Sequence, residues 1–316
     1  MSFYSFQMQK GLAMSTFTNF RGVIPAMMTP LSDYDTLDRP GLERLVEHVI
    51  QGGVNAIFML GSCGEGPSLS YRLRRELIEY GCKQINHRVP VVVGITDTSF
   101  AESMSFATHC ANCGVDAVVM APPYYFNPTD EEMQDYIKKV SETVPIPLII
   151  YNMPGFTKHH MSLETVKRSI ELPNVVAMKD SSCDMNYFAE LCKICVPQNF
   201  PLFIGPEEKT DDAVALGANG VVSGGASFDP KLFVEFYKSA VAKDAAKTAE
   251  CKKKVLQLAE TIYQVGNYGL AMVKGAKCAL SIMGICDDVV AEPFHKHGPK
   301  ERAIVEDYLR KMGYIS

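Results

Sequence analysis

Eight short apolar runs, each followed by a stretch of helical periodicity, constrain this chain more than any other feature. The runs are GVIPAMMT from Gly22, VNAIFMLG from Val54, VPVVVGI from Val89 and VDAVVMA from Val115. They continue with IPLIIYN from Ile146, NVVAMKD from Asn174, FPLFIG from Phe200 and NGVVSGG from Asn219. A strand with one wet face would alternate apolar and polar residues. Near-continuous runs instead imply strands buried on both faces, as in a parallel sheet covered by helices. Leu42, Leu45, Val46, Val49 and Ile50 follow helical i, i+3, i+4, i+7, i+8 spacing, and Met133, Tyr136, Ile137 and Val140 do the same. Ser99 with Glu102, and Thr129 with Glu132, stand at capping-box spacing. Eight strand–helix units in about 220 residues predict an α/β fold, a TIM (β/α)8 barrel, whose usual length is about 250 residues. An open doubly wound sheet is the alternative, but no GxGxxG follows the first run.

Beyond Lys243 no strand pattern returns. Val255, Leu258, Ala259, Ile262 and Tyr263 form a helical stripe, and AMVKGAKCALSIMG and PKERAIVEDYLRKMG read as two further helices. The expected organisation is an N-terminal extension over 1–20, a barrel catalytic domain over 21–243 and a C-terminal helical region over 244–316. The extension holds one charge, Lys10, and lacks the basic start, long apolar core and cleavage site of a secretory signal. The default expectation is a cytoplasmic protein. An apolar share of 47% with 21% charged residues excludes a disordered chain. Lys and Arg number 31 against 36 Asp and Glu, and the net charge of −5 argues against a nucleic-acid partner. No uninterrupted apolar run reaches the ~20 residues of a membrane helix, so no membrane partner is expected.

The ten cysteines include two CxxC pairs, Cys110/Cys113 and Cys192/Cys195, both within helical periodicity. A zinc ribbon would hold such pairs in tight turns, so buried reduced thiols are expected instead. His159-His160 lacks the spacing of a helical metal pair and reads as a loop feature. No metal site is expected.

In a TIM barrel the active site lies at the carboxyl ends of the strands. That rule selects Gly61-Ser62-Cys63-Gly64-Glu65, Pro122-Pro123-Tyr124-Tyr125, Tyr151-Asn152-Met153-Pro154, Lys179-Asp180-Ser181, Gly205-Pro206-Glu207-Glu208 and Ser223-Gly224-Gly225. Lys179 follows a buried run. A partly desolvated lysine there would offer a nucleophilic amine suited to Schiff-base formation; the plainer reading is a lysine that ends a strand and pairs with a carboxylate. Tyr151 could shuttle protons to such an amine, or be a rim tyrosine with its hydroxyl in water. The glycines around Ser62 would let backbone N–H groups and its hydroxyl converge on an anion such as a carboxylate, or simply form a turn.

Taken together, GSCGE, YNMP and KDS close three strands in the order found in the dihydrodipicolinate synthase / N-acetylneuraminate lyase family, and the chain resembles that family over about residues 20–310. The resemblance implies a class I, pyruvate-dependent aldolase or lyase. Lys179 matches the lysine that forms the imine with pyruvate, and Tyr151 matches the proton-relaying tyrosine. Ser62 and Cys63 match the hydroxyl pair at the pyruvate carboxylate and in the proton relay, with Ser62 counted among the catalytic residues and Gly64 beside them. Tyr125 matches the tyrosine that reaches into a neighbouring subunit's relay, in a homotetramer built as a dimer of dimers. The implied partners are pyruvate and an aldehyde or 2-keto acid, with no cofactor beyond the covalent imine on Lys179.

Three departures bear on substrate. Cys63 stands where a hydroxyl is usual, Phe156 stands where synthases of dihydrodipicolinate carry Arg, and the following loop reads GFTKHHM. Phe156 removes a guanidinium that would hold a second carboxylate. Ser181, and Glu207 and Glu208 as acceptors for substrate hydroxyls, point toward a hydroxylated 2-keto sugar acid, with Ser223 also in the binding set. The glutamates could instead open the next helix. Gly224 and Gly225 offer no donor to the long tail of N-acetylneuraminate, so a shorter 2-keto-3-deoxy sugar acid is preferred. The alternative is dihydrodipicolinate synthase, condensing pyruvate with aspartate semialdehyde. A phosphate- or flavin-binding barrel using Gly217–Gly225, and a non-catalytic keto-acid sensor, are the readings from other classes.

Overall fold

The computed structural model describes residue 17, residues 19–266 and residues 269–316. Most of the expected N-terminal extension, residues 1–16 and 18, lies outside the described residues. Eight parallel strands, with helices between them, form a nearly closed barrel. In chain order the strands are β1 (Gly22–Pro25), a hairpin of β2 (Leu31–Asp33) and β3 (Thr36–Leu37), β4 (Ile57–Met59) and β5 (Val91–Gly94). Then come β6 (Ala117–Met120), β7 (Leu148–Asn152), β8 (Val175–Asp180), β9 (Leu202–Ile204) and β10 (Gly220–Ser223). Each apolar run contains one barrel strand, and every barrel-strand residue except Gly94 is buried. The hairpin lies apart from the barrel sheet and was not evident from the runs.

The chain divides into two compact units, Met1–Gly22 with Pro90–Val222 and Val23–Val89 with Ser223–Ser316. In the first, successive strands from β5 onward pair in parallel, with Val118 opposite Leu148, Ile150 opposite Met178 and Met178 opposite Leu202. Helices Phe100–Asn112, Asp130–Thr143, Leu163–Ile170 and Met185–Cys195 connect them. Thr129 and Glu132 form both halves of a capping box. Ser99 caps its helix through Oγ, but its own N–H goes to Asp97 Oδ1 at 3.0 Å rather than to Glu102. Cys110 lies on the first of these helices with Cys113 at its cap, and Cys192 and Cys195 lie on the last. Burial pushes the Cys192 thiol up to about 11 and, aided by Cys192, the Cys195 thiol up to about 12. Phe20 packs edge-on against Phe17 and Phe203, with centroids 4.8 and 5.1 Å away.

In the second unit, Ala26 bridges Phe58 in parallel beyond the ends of the strand ladders. Helices Arg39–Gln51, Tyr71–Ile85 and Pro230–Val241 are capped by Asp38, Ser70 and Asp229. Helices Ala245–Glu260, Ala271–Ile282 and Pro299–Lys311 follow, where the C-terminal pattern places them. No described helix is long and apolar enough to cross a membrane.

Candidate active site

In the first unit, β7 and β8 are adjacent, and their register sets Tyr151 opposite Lys179 and Asn152 opposite Asp180. Lys179 is only 6% exposed and Tyr151 only 5%. The lysine Nζ sits over the tyrosine ring, 4.3 Å from its centroid. This is cation–π range, and the ring is inside the strand rather than out in water.

The next pair along the register forms a buried polar clamp. Asn152 Nδ2 donates to Asp180 Oδ1 at 2.7 Å, and the Ser182 hydroxyl donates to Oδ2 at 2.8 Å. Asn152 Oδ1 accepts the Met161 N–H at 3.0 Å, and the Tyr187 hydroxyl donates to the Met161 carbonyl at 2.7 Å. The His160 ring packs edge-on to Tyr187 at 4.4 Å. Burial, the largest influence, holds the Asp180 carboxyl above its ordinary range, against the hydrogen bonds from Asn152 and Ser182. Sequence reasoning passed over Asn152 and Asp180 as clamp members. The available signal was two polar residues ending apolar runs, one beside each presumed catalytic side chain.

Ser181 follows β8. A Cβ on Gly205 would lie 1.9 Å from the Ser181 Oγ, so only glycine at the end of β9 leaves room for that hydroxyl. Glu207 is buried and Glu208 half-buried. They form a tight turn over Glu207–Lys209, ahead of the helix Thr210–Ala215. The Thr210 hydroxyl donates to the Glu207 carbonyl at 2.7 Å. Tyr125 is 88% exposed with φ at 86°, and its ring meets Phe126 edge-on at 5.0 Å. Phe156 is exposed on the short helix Pro154–Thr157.

In the second unit the chain leaves β4 through a tight loop. Leu60 and Glu65 are left-handed, with φ of 59° and 56°. A Cβ on Gly66 would stand 2.4 Å from the Leu60 carbonyl oxygen, so the loop closes only with glycine there. The N–H groups of Glu65 and Gly66 turn inward to the carbonyls of Ser62 and Gly61, at 3.1 and 3.3 Å. The Thr29 hydroxyl donates to the Gly64 carbonyl at 2.7 Å. Among the described residues, the half-buried Ser62 hydroxyl and the Gly64 N–H have no protein partner. The loop thus uses the N–H groups of Glu65 and Gly66 to close itself, while the Ser62 hydroxyl and the Gly64 N–H stay open to a ligand.

Glu65, which ends this loop, is a residue that sequence reasoning quoted but gave no role. Its carboxylate is buried, paired with the Lys277 ammonium and accepting the Ala291 N–H at 2.6 Å. Ser223 ends β10 fully buried, and its Oγ accepts the Ala226 N–H at 2.9 Å. Next to it, a Cβ on Gly224 would lie 2.8 Å from Cys63 Sγ and 2.2 Å from Met272 Cε. The atoms nearest that position are a thiol and a thioether.

The model of the Dihydrodipicolinate synthetase family matches residues 19–312. The chain belongs to that family. It is a class I aldolase or lyase. A curated member from Nitrobacter hamburgensis, named 4-hydroxy-tetrahydrodipicolinate synthase, is 30% identical over 96% of this chain and 100% of its own length. Its counterpart from Thiobacillus denitrificans is 32% identical over 80% of this chain and 86% of its own. The dihydrodipicolinate synthase structure from Bacteroides thetaiotaomicron is 43% identical, with a TM-score of 0.90 over 92% of this chain and 98% of that one. YagE, a prophage protein of the family from E. coli K12 solved with pyruvate, is 25% identical, with a TM-score of 0.87 over 94% of this chain and 99% of its own.

Proposed function

We propose that the protein joins pyruvate to a small aldehyde through an imine on Lys179, and that the aldehyde is aspartate semialdehyde, as in the 4-hydroxy-tetrahydrodipicolinate synthase reaction. The observation that carries the imine is the juxtaposition of two buried side chains, with the Lys179 amine 4.3 Å from the Tyr151 ring centroid. The ε-amine adds to the pyruvate carbonyl, and loss of water leaves an imine. The imine is an electron sink, so C3 loses a proton and attacks the aldehyde as an enamine. Tyr151 carries protons to and from the carbinolamine and the new hydroxyl. The Ser62 hydroxyl, Cys63 and the Gly64 N–H hold the pyruvate carboxylate. The covalent imine takes the place of a cofactor. We assign the enzyme to the cytoplasm and to a homotetramer in which Tyr125 enters a neighbour's proton relay.

The semialdehyde half of the proposal draws on the names of the relatives, which favour it over the sugar-acid substrate expected from the sequence. One observation keeps the sugar-acid reading as the second choice. Phe156 presents an exposed ring where a guanidinium would grip a second carboxylate. Borohydride reduction with pyruvate is expected to leave a pyruvyl group on Lys179 and none in Lys179→Ala; labelling of another lysine would defeat the mechanism. The kcat/KM for aspartate semialdehyde with pyruvate is expected to exceed those for 2-keto-3-deoxy sugar acids and N-acetylneuraminate. The opposite ranking would restore the sugar-acid reading.

A further inference from the structure

Lys277 lies in the middle of the helix Ala271–Ile282 and is wholly buried, as is its partner Glu65. Two charges taken out of water carry a large desolvation penalty, and such a pair persists only when its geometry is tightly held. Here it is. The Lys277 Nζ also donates to the Val289 carbonyl at 2.7 Å, while the Glu65 carboxylate also accepts the Ala291 N–H. The helix is itself closely seated, because a Cβ on Gly275 would come within 2.1 Å of the Ile262 carbonyl oxygen. At the other end of the pair, Glu65 holds a left-handed backbone that a non-glycine residue keeps only when its surroundings fix it. Gly64 and Ser62, whose N–H and hydroxyl are open to a ligand, are one and three residues away.

We infer that the Glu65–Lys277 pair is a positioning device for the Ser62–Gly64 loop, and that Lys277 on the helix Ala271–Ile282 sets the affinity for the pyruvate carboxylate without touching it. This rests on the imine reading, in which that loop receives the carboxylate. Held by the pair, Glu65 keeps its conformation, and the Ser62 hydroxyl and the Gly64 N–H keep a common direction. Without it, Glu65 relaxes toward ordinary backbone angles and carries the loop with it. Because the carboxylate is held equally in ground state and transition state, the loss falls on KM for pyruvate and leaves kcat in place.

The test uses Glu65→Gln, Lys277→Met and the double variant of the full-length protein. The double variant leaves no unpaired charge and guards against simple failure to fold, which thermal unfolding monitors. Two quantities are read: the pyruvate concentration that half-saturates borohydride trapping on Lys179, and the steady-state constants with aspartate semialdehyde as the aldehyde. Weakening a hydrogen bond to a charged carboxylate costs about tenfold or more in affinity, so a rise of about tenfold or more in both half-saturation and KM for pyruvate is expected in the folded double variant. Its kcat at saturating pyruvate and its KM for the aldehyde should stay within about twofold of the parent, as for an interaction lost equally from both states. A folded double variant that binds pyruvate like the parent overturns the inference. So does one in which kcat and both KM values deteriorate together, the mark of a merely structural pair. If the parent itself fails to trap pyruvate, the imine reading falls, and this inference falls with it.

Discussion

Tyr151 and Asp180 show how one strand register assigns two different jobs to neighbouring side chains. Tyr151 faces the Lys179 amine, so Tyr151→Phe keeps the ring and removes only the hydroxyl proposed to carry protons. Its kcat should fall by about 10²–10⁴, the usual range for one acid–base group, with the fold intact; parental turnover in that variant would end the assignment. Asp180 has no such position and ties β8 to Asn152 and Ser182. Because burial raises its pKa above the ordinary 3.8, the folded protein holds this proton to higher pH than the unfolded chain does. The stability it contributes is full below the unfolded value and is lost as pH rises through the folded one. The Tm of the parent minus that of Asp180→Asn should therefore fall as pH climbs from the ordinary carboxylate range. A difference that stays flat across that span, in parallel melts of the two proteins, would remove Asp180 from the pH dependence.

The elements differ in how far the sequence discloses them. Strands buried on both faces leave no alternation, so the eight runs were legible, and Lys179 and Tyr151 could be located as polar side chains near strand ends. The hairpin was not legible, because LSDYDTL is mostly polar and its strands span only Leu31–Asp33 and Thr36–Leu37. Nor was the Glu65–Lys277 pair, since Lys277 interrupts an apolar helix whose partner is distant in sequence and no local period connects them. Glu207 and Glu208 read either as acceptors for substrate hydroxyls or as helix openers, and they form their own turn just ahead of the helix. The loop after β4 gives a direct test of close approach. In Gly66→Ala the new methyl would meet backbone, the Leu60 carbonyl at 2.4 Å, which cannot rotate away as a side chain could. Forced overpacking of this kind costs about 1–3 kcal/mol. Urea unfolding should report that loss, whereas an unchanged midpoint would mean the loop has slack.

At the scale of the whole molecule, Tyr125 is the residue whose conformation the isolated chain does not explain. A tyrosine with φ at 86° is held in a sparsely populated region, at a cost on the order of 1–3 kcal/mol. Yet its ring is 88% exposed and touches Phe126, itself 81% exposed. Side chains of this kind bury about 150–250 Å² each when covered. A stable interface removes about 800 Å² per partner, so this pair can anchor a contact between copies but cannot supply all of it. The homotetramer proposed above gives the strain a purpose, since it would aim the phenol at a neighbour's Lys179 and Tyr151. Tyr125 would then act twice, as anchor and as proton carrier, and two substitutions separate the roles. Tyr125→Phe keeps the ring, so sedimentation velocity should still show the parental assembly while kcat falls by about 10²–10⁴. Phe126→Ser weakens only the anchor, so the assembly should shift to smaller species on dilution, with activity per protomer falling in step. Activity that stays at the parental level in a monomer would mean that no neighbour contributes to the site, and Tyr125 would lose its place in the relay.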